Sequence, residues 1–417
     1  MAKKKAVKPP REITKRQLSR WQEQKRRQRI AFISGITIIV AVLVVLVTGW
    51  YIEQYRPLRE AVLRVNGTEF SLGYYVNMLK HYGRGQTQYI SYMADQVMTN
   101  IEQSELIRQG ALKLGISVGD DEVDKELKSR KLGSEFRDPV RAGLLAGALQ
   151  NTHFDPLVPE FAEHRQTMAM FLEDESQAAE VKARLEKGEN FTDLAGQLSV
   201  EGYTKTNKGD LSWRPRGVLP TLVNSTMLED KVFGSEVGVL STAYDAEQNK
   251  SVGYLILKLW DREEGGSKRA HMLAILLGNK EEAQRAKARL NAGEDFAALA
   301  KELSQLGGAK DNGGDMGWIT PGTWSKQVDE FIFGAETKQF AVSEPIRDET
   351  QSTKGGYWLF KVQAVENKKI EGENRDTLRA KLFNDWVKGL SEDPNNKIER
   401  LLNNAMKAWA VQKAMKS

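Results

Sequence analysis

The sequence predicts an α+β protein with one membrane-spanning helix, and three observations support this prediction. A run of 23 residues without a charge, Ile30 to Ile52, lies near the N-terminus. Two segments of 40 residues, Ala178–Gly217 and Ala283–Gly322, align without a gap and are identical at 19 positions. Apolar residues at helical spacing precede and follow this repeat. We therefore expect an anchor, a duplicated α+β domain and a helical unit built from both flanks.

Composition is typical of folded protein and excludes several classes of site. The 417 residues are 40% hydrophobic and 28% charged, enough for two to four domains. Residues 1–29 hold 12 basic and 2 acidic side chains, whereas the remainder holds 49 basic and 54 acidic ones. Because the bulk is mildly acidic, no nucleic-acid partner is expected. The absence of Cys and the spacing of the four His predict neither a metal site nor a cofactor.

The apolar run 30–52 predicts a transmembrane helix. As a helix it is about 35 Å long, enough to cross a bilayer core of about 30 Å. Trp50, Tyr51 and Tyr55 follow at the end where aromatic rings favour the membrane interface. The basic tail 1–29 predicts a cytoplasmic N-terminus and an extracytoplasmic bulk on the cytoplasmic membrane. A cleaved signal peptide and a buried soluble helix are the alternatives, but the run exceeds a usual signal core and no cleavage site follows.

The flanks of the repeat predict one helical unit. Residues 60–165 contain a hairpin signal at Asn66-Gly67 followed by several helical patterns. Residues 372–417 contain two apolar stripes that we expect to be helical, one through Trp386 and one from Ile398 to Trp409. Neither stripe has a partner nearby in sequence. We therefore expect residues 372–417 to pack on residues 60–165.

Each copy of the repeat predicts a small α+β domain, one over 166–263 and one over 268–367. A short apolar strand is followed by a helix that a glycine breaks, a Gly-Asp turn, a variable stretch and a closing strand. The closing strands are "GYLILKL" (Gly253–Leu259) and "GYWLFKV" (Gly356–Val362). We expect each closing strand to complete the sheet of its own copy.

The turn occurs twice, as "NKGDLSWRPRG" and "NGGDMGWITPG". Its glycines are expected to adopt positive φ, its aspartates to accept bonds from nearby N–H groups, and its tryptophans to anchor the next segment in the core. The residues concerned are Gly209, Asp210 and Trp213 in the first copy and Gly314, Asp315 and Trp318 in the second. The turn is therefore interpreted as scaffolding.

The order of elements resembles the parvulin-type peptidyl-prolyl isomerase domain, through "GEDFAALAKELS", "GGDMGW", "VSEPI" and "GYWLFKV". The whole layout, with "VLRVNGTEFSLGYYV" and "LFNDWVKGL", resembles the SurA/PrsA class of extracytoplasmic folding factors. The resemblance implies a helical SurA-N-like chaperone module that carries two parvulin-like domains. It also implies unfolded or secreted polypeptides as partners.

The resemblance implies catalytic positions that this sequence has mostly lost. The family typically places a His on the first strand, an acid or Cys after the second helix and a His on the last strand. These positions hold Ala169, Glu201 and Leu255 in the first copy and Ala274, Leu306 and Trp358 in the second. His271 lies three residues before Ala274, so it is expected on the opposite side of the strand unless the register differs. Glu201 is interpreted as a surface carboxylate.

The proline pocket implied by the resemblance has changed as well. Its positions hold Leu219 and Val223 in the first copy and Trp324 and Val328 in the second, with Trp358 as a further wall. These residues are expected to form apolar peptide-binding grooves, with Trp324 and Trp358 as an aromatic wall; the alternative is that both tryptophans lie in the domain core. Three functions remain: a tethered chaperone or foldase with weak or no isomerase activity, an active isomerase, or a scaffold subunit of a membrane complex.

Overall fold

The computed structural model describes residues 15–83, 87–263 and 268–416. It divides into two compact units. The first unit runs to Leu149 and resumes at Asp385, and the second runs from Gln150 to Asn384. The predicted α+β class is confirmed. The divisions fall at 149/150 and 384/385, whereas the sequence predicted a helical unit over 60–165 joined by residues 372–417.

The α-helices are named in chain order: α1 (Lys15–Trp50), α2 (Leu72–Tyr82), α3 (Ile90–Lys113), α4 (Asp120–Ser129), α5 (Arg137–Leu149), α6 (Glu175–Glu186), α7 (Phe191–Leu198), α8 (Gly202–Thr206), α9 (Leu219–Val223), α10 (Thr226–Gly234), α11 (Lys280–Asn291), α12 (Phe296–Leu303), α13 (Ala309–Asn312), α14 (Lys326–Ile332), α15 (Gly372–Glu392) and α16 (Asn404–Met415). The strands are β1 (Ala61–Val65), β2 (Thr68–Ser71), β3 (Phe161–Leu172), β4 (Asp210–Pro215), β5 (Leu240–Lys250), β6 (Gly253–Glu263), β7 (Arg269–Leu277), β8 (Asp315–Ile319), β9 (Ile346–Asp348), β10 (Thr353–Lys369) and β11 (Ile398–Arg400).

The first unit is a helical core with a small sheet in the order β11-β1-β2. The predicted hairpin is present: β1 and β2 pair antiparallel, and Asn66 and Gly67 at the turn have φ of 49° and 91°. Ser71 caps α2 by accepting from the backbone N–H of Tyr74. One core cluster joins the hairpin to α2 and α3. A local turn signal and a cap thus set the start of this unit.

Both ends of the unit share this core. Ala410 and Ala414 of α16 are buried in it, and Trp409 packs against its edge. α16 thus packs on the early helices, whereas residues 372–384 of the predicted C-terminal segment belong to the second unit. The stripe from Ile398 was predicted to be helical throughout, which is wrong for its first residues. Ile398 to Arg400 form β11 because β1 offers an open edge, and they pair with Val65 to Leu63.

The second unit contains two lobes, each with one four-stranded sheet. The first lobe is the sheet β4-β3-β10-β5 with α6 to α10, and the second lobe is the sheet β8-β7-β6-β9 with α11 to α14. In the first lobe one face of the sheet packs on α6 and α7, and the other packs on α9 and α10. The second lobe repeats this with α11 and α12 on one face and α14 on the other.

The two lobes exchange their closing strands. In the first lobe, β10 lies between β3 and β5, so that Trp358 pairs with Phe171 and with Ala243. In the second lobe, β6 lies between β7 and β9, and Leu257 pairs with Ala274. The expectation that each closing strand completes its own copy is therefore wrong. Each lobe contains residues of both copies.

Two physical features explain the exchange. The closing strands are close in sequence, "GYLILKL" and "GYWLFKV", so either fits between the same neighbours. The residues between β6 and β7 are few, from 264 to 268, which suits an antiparallel hairpin between these adjacent strands. Once β6 pairs with β7, the first lobe is left to be completed by β10.

A buried polar cluster lies where the chain crosses between the lobes. Glu173, which follows β3, is 5% exposed, and its carboxylate accepts from the Tyr254 hydroxyl at 2.9 Å and from Arg347 Nε at 3.1 Å. Lys250 is 2% exposed, and its ammonium donates to the carbonyls of Glu173, at 2.9 Å, and of Gly355. Burial lowers the pKa of Lys250 to about 8. These bonds tie residues of both copies together at the crossing.

Candidate active sites of the two lobes

The exchange regroups the positions at which parvulin-type domains carry catalytic groups. The first lobe brings together Ala169, Glu201 and Trp358, and the second brings together Ala274, Leu306 and Leu255. Sequence order had paired Leu255 with the first copy and Trp358 with the second. That pairing is wrong because β6 and β10 change places.

Glu201 is a helix cap in the first lobe. Its carboxylate accepts from the backbone N–H of Tyr203 and of Thr204, each at 2.8 Å, and from the Thr204 hydroxyl at 2.8 Å. The residue is 9% exposed, which corrects the interpretation of a surface carboxylate. These three bonds all run to the first turn of α8, as an N-cap requires. A carboxylate committed in this way is poorly placed to act on a substrate amide.

Trp358 lies in the interior of the first lobe, where it meets an acid that the sequence did not single out. Its ring is fully buried and its centroid is 4.8 Å from that of Phe171. Its indole N–H donates to Asp245 Oδ2 at 3.2 Å, and the Ser225 hydroxyl donates to the same oxygen at 2.6 Å. Asp245 is 7% exposed. Nothing in the local sequence of β5 marks a buried acid, because its partners come from 20 and 113 residues away.

The second lobe has only aliphatic side chains at its three positions. Ala274 and Leu255 are fully buried, and Leu306 is half-buried against the same cluster. None of these side chains can donate to or accept from an amide. The second lobe therefore lacks the polar groups that would assist rotation about a prolyl bond at this place.

His271 lies on the other side of β7 from Ala274, as its spacing predicted. Ala274 and Met272 belong to the cluster that faces α14, and Leu273 belongs to the one that faces α11 and α12. His271 Nε2 is 2.7 Å from Asp315 Oδ1, and its ring centroid is 5.7 Å from that of Trp318, with the ring planes tilted by 34°. Burial opposes ionisation of Asp315, but bonds from His271 and from the Gly317 N–H outweigh it and lower the pKa. His271 thus supports the turn.

The turn itself has the geometry that the sequence predicted for its glycines and aspartates. Gly209 and Gly314 have φ of 84° and 83°. A Cβ on Gly314 would lie 2.8 Å from the Ala274 carbonyl oxygen, so a side chain is excluded there. Asp210 and Asp315 accept from backbone N–H groups two residues ahead, at 2.6 and 2.7 Å.

The turn tryptophans do not anchor the core, contrary to the prediction. Trp318 is 43% exposed and Trp213 is half-buried. Trp318 and Ile319 alternate along β8, and Ile319 takes the inward place. Both rings instead carry cations over their faces, Lys368 at 4.5 Å from Trp213 and Arg269 at 5.5 Å from Trp318.

The predicted groove residues lie mainly in the lobe cores. Leu219, Val223, Val328 and Trp358 are at most 1% exposed, so they present almost no surface to a peptide. Trp324 is half-buried at the edge of the second-lobe cluster. Of the two alternatives for the tryptophans, the core placement fits Trp358, and the burial of Leu219, Val223 and Val328 does not fit an open groove.

Open clefts occur elsewhere in each unit. In the first unit, a cleft of about 300 Å³ is lined by both apolar and polar side chains. Its lining residues are Thr68, Phe70, Tyr74, Ile101, Ser104, Glu105, Arg108, Asp138, Arg141, Ala142 and Leu145. In the second unit, a cleft of about 500 Å³ lies against β3 and α15. It is lined by Leu157, Val158, Pro159, Ala162, Glu163, Arg165, Pro215, Arg216, Phe233, Ile370, Leu378, Lys381 and Leu382.

The charged side chains that line the first-unit cleft are paired with other side chains. Glu105 accepts from Arg108 at 2.6 Å and from the Thr68 hydroxyl at 2.7 Å. Burial raises the pKa of Glu105, but the bonds from Arg108, Gln109 and Thr68 outweigh it and leave the pKa lowered. Burial, with the nearby Asp138 carboxylate, raises the pKa of Tyr74. The lining of this cleft thus combines paired charges with apolar side chains.

Comparison with known proteins identifies the class. Residues 158–261 and 277–364 match the family model of the rotamase, or PPIC-type peptidyl-prolyl isomerase, domain. Both copies of the repeat are therefore similar to this domain. In the structure, the first matched segment contributes β6 to the second lobe and the second contributes β10 to the first.

Two of the similar proteins are a chaperone and a foldase. The chain is 28% identical over 292 residues to Chaperone SurA of Saccharophagus degradans, a match that covers 67% of this chain and 60% of that protein. It is 36% identical over 134 residues to Foldase protein PrsA of Geobacillus kaustophilus, covering 31% of this chain and 43% of that protein. The chain thus spans about half the length of these relatives. It is thus similar to both SurA chaperones and PrsA foldases.

One solved structure shows similarity across much of the chain. The PrsA peptidylprolyl isomerase of Bacillus anthracis aligns with 76% of this chain and 95% of its own, at 13% identity and a TM-score of 0.29. A score of that size does not establish a common overall arrangement.

Proposed function

We propose that this protein is a chaperone or foldase that binds unfolded polypeptide and has negligible prolyl isomerase activity. The observation that carries the proposal is the content of the six family positions. Five hold Ala, Leu or a buried Trp, and the sixth is a carboxylate committed to a helix cap. Rotation about a prolyl bond must overcome about 18–20 kcal/mol, and these side chains offer no free polar group to assist it.

Polypeptide binding is assigned to the first-unit cleft. Part of its lining is apolar, and its charged side chains already pair with other side chains of the protein, so they do not need a client to compensate them. Thr68 and Phe70 line the cleft and belong to β2, which lies at the edge of the described sheet β11-β1-β2. An extended chain can add its backbone bonds to such an edge while its side chains enter the cleft.

A blocking substitution tests this assignment. Ser104→Trp places a large ring in the cleft, whereas Gln96→Trp adds the same ring to an exposed position of α3 outside it. The full chain should suppress aggregation of an unfolded client, Ser104→Trp should lose most of that effect, and Gln96→Trp should keep it. Equal suppression by both variants would remove the cleft from the proposal.

We also propose that α1 anchors the protein in the cytoplasmic membrane with the bulk outside. The most apolar stretch of 18 residues within the helical span Phe32–Arg59 has a mean hydropathy of 2.7, and none of that stretch is buried. Such a helix also fits a signal sequence, so topology needs a direct measurement. Because the chain has no Cys, a single Gln96→Cys or Ala2→Cys can be probed in intact spheroplasts. An impermeant maleimide should label only the first; labelling of the second instead would reverse the topology.

A further inference from the structure

The C-terminal helix lies beside the end of the apolar span. Lys413 Nζ of α16 donates to Gln54 Oε1 at 2.8 Å, and Gln54 is two residues beyond the uncharged run. Ala410 and Ala414 fix α16 in the core of the first unit. A salt bridge of 2.6 Å from Lys407 to Asp95 ties the helix to α3. α16 is therefore held firmly at the point where the chain leaves the proposed membrane span.

A pocket occupies this junction. It has a volume of about 240 Å³ and is lined by Gln54, Trp409, Gln412, Lys413 and Lys416. Among the described lining residues there are two cations and two amides but no carboxylate. Lys413 also lies over the Trp409 ring at 5.7 Å. Cations and N–H donors surround a space whose volume exceeds that of several water molecules, and such a site suits a phosphate group.

The surroundings place this pocket at headgroup level. Tyr51 and Tyr55 on the same helical end are exposed, and Arg56 and Arg59 follow them on the surface. Exposed Glu53 and Glu60 also lie along this segment, outside the pocket lining. Aromatic rings next to an apolar span mark the interface between acyl chains and headgroups. A basic pocket at this depth meets lipid phosphates before it meets soluble anions.

We propose that this pocket, the α16 headgroup pocket, binds the phosphate of an anionic phospholipid. The proposal rests on the membrane anchoring proposed above. It assigns α16 a second task besides completing the core: it couples the orientation of the first unit to the lipid surface. Trp409 would lie along the glycerol region, and Lys413 and Lys416 would face the phosphate.

The test uses the full chain in nanodiscs of phosphatidylcholine with increasing phosphatidylglycerol. Amide exchange of residues 404–415 should slow as the anionic lipid increases. A cation near an anionic surface contributes about 1 kcal/mol, which is about fivefold in affinity. Lys416→Gln should therefore raise the phosphatidylglycerol fraction needed for half protection about fivefold, and Lys413→Gln with Lys416→Gln more. Lys125→Gln with Lys128→Gln, on exposed positions of α4, is the matched control and should not change it.

Three results separate the proposals. Failure of the full chain to co-float with the nanodiscs would contradict the anchor itself. Co-floating without any dependence on phosphatidylglycerol, or the same dependence in Lys416→Gln and in the control, would overturn the headgroup pocket alone. Equal protection by inorganic phosphate in pure phosphatidylcholine discs would assign the pocket to a soluble anion and overturn the lipid assignment.

Discussion

Because the closing strands are exchanged, a substitution in the closing strand of one copy should destabilise the lobe that holds the first strand of the other copy. Trp358→Ala removes a fully buried ring that contacts Phe171 and bonds Asp245, all within the first lobe. Such truncations cost about 3–5 kcal/mol, and burying Asp245 with one donor fewer adds to this. Leu255→Ala is the matched change in the other closing strand. It removes a fully buried side chain from the second lobe at a cost of about 2–5 kcal/mol.

Amide exchange followed by mass spectrometry reads the two lobes separately. Each 1.4 kcal/mol is a factor of ten in the opening equilibrium, so Trp358→Ala should speed exchange of β3 by about two to three powers of ten. β7 should change much less. Leu255→Ala should show the reverse, with β7 losing protection before β3. If Trp358→Ala loosens β7 and Leu255→Ala loosens β3, each copy closes on its own strand and the exchange is refuted.

Three further predictions follow from particular residues. Gln166 and Ala364 face each other across β3 and β10, so the variant with Cys at both positions should form a disulfide on oxidation. The variant with Gln166→Cys and Asp261→Cys should not form one. The opposite pattern would indicate unexchanged lobes. Burial lowers the pKa of Lys250 to about 8. Between about pH 8 and 10 the unfolded state therefore holds a proton that the folded state has lost, and the free energy of unfolding should rise with pH. Denaturant melts over this pH range in which Lys250→Met keeps the same rise would contradict the prediction. Glu201→Ala removes the cap of α8 and should lower stability by about 0.5–2 kcal/mol in denaturant melts without changing any isomerase rate; a changed rate would make Glu201 a catalytic residue.

Local signals in the sequence were sufficient for much of the fold. Asn66-Gly67 marked a hairpin, and the repeated Gly-Asp turns marked positive φ and a side-chain acceptor, because each depends on residues within a few positions. The strand at Ile398 was not predicted, since its identity comes from the open edge of β1, over 330 positions away. Tertiary pairing overrode the helical spacing there.

The candidate sites were predicted in part, and the reason is again distance along the chain. Spacing placed His271 on the opposite face from Ala274, which the structure has. The partners of Trp358 could not be predicted because two nearly equivalent strands compete for the same place, and sequence similarity does not decide between them. Asp245 was missed for the same reason: its role appears only once β10 lies beside β5.

The claim that both lobes are parvulin-type folds without catalytic groups is tested most directly by one pair of rates. The full chain, in detergent or nanodiscs, is mixed with a proline peptide prepared with excess cis isomer, and the relaxation is followed with and without protein. The account predicts relaxation at the uncatalysed rate, over tens of seconds at 25 °C, from a preparation that suppresses aggregation of an unfolded client. A clear acceleration that disappears in His271→Ala would contradict it, because the pair of His271 and Asp315 would then be catalytic rather than a support of the turn.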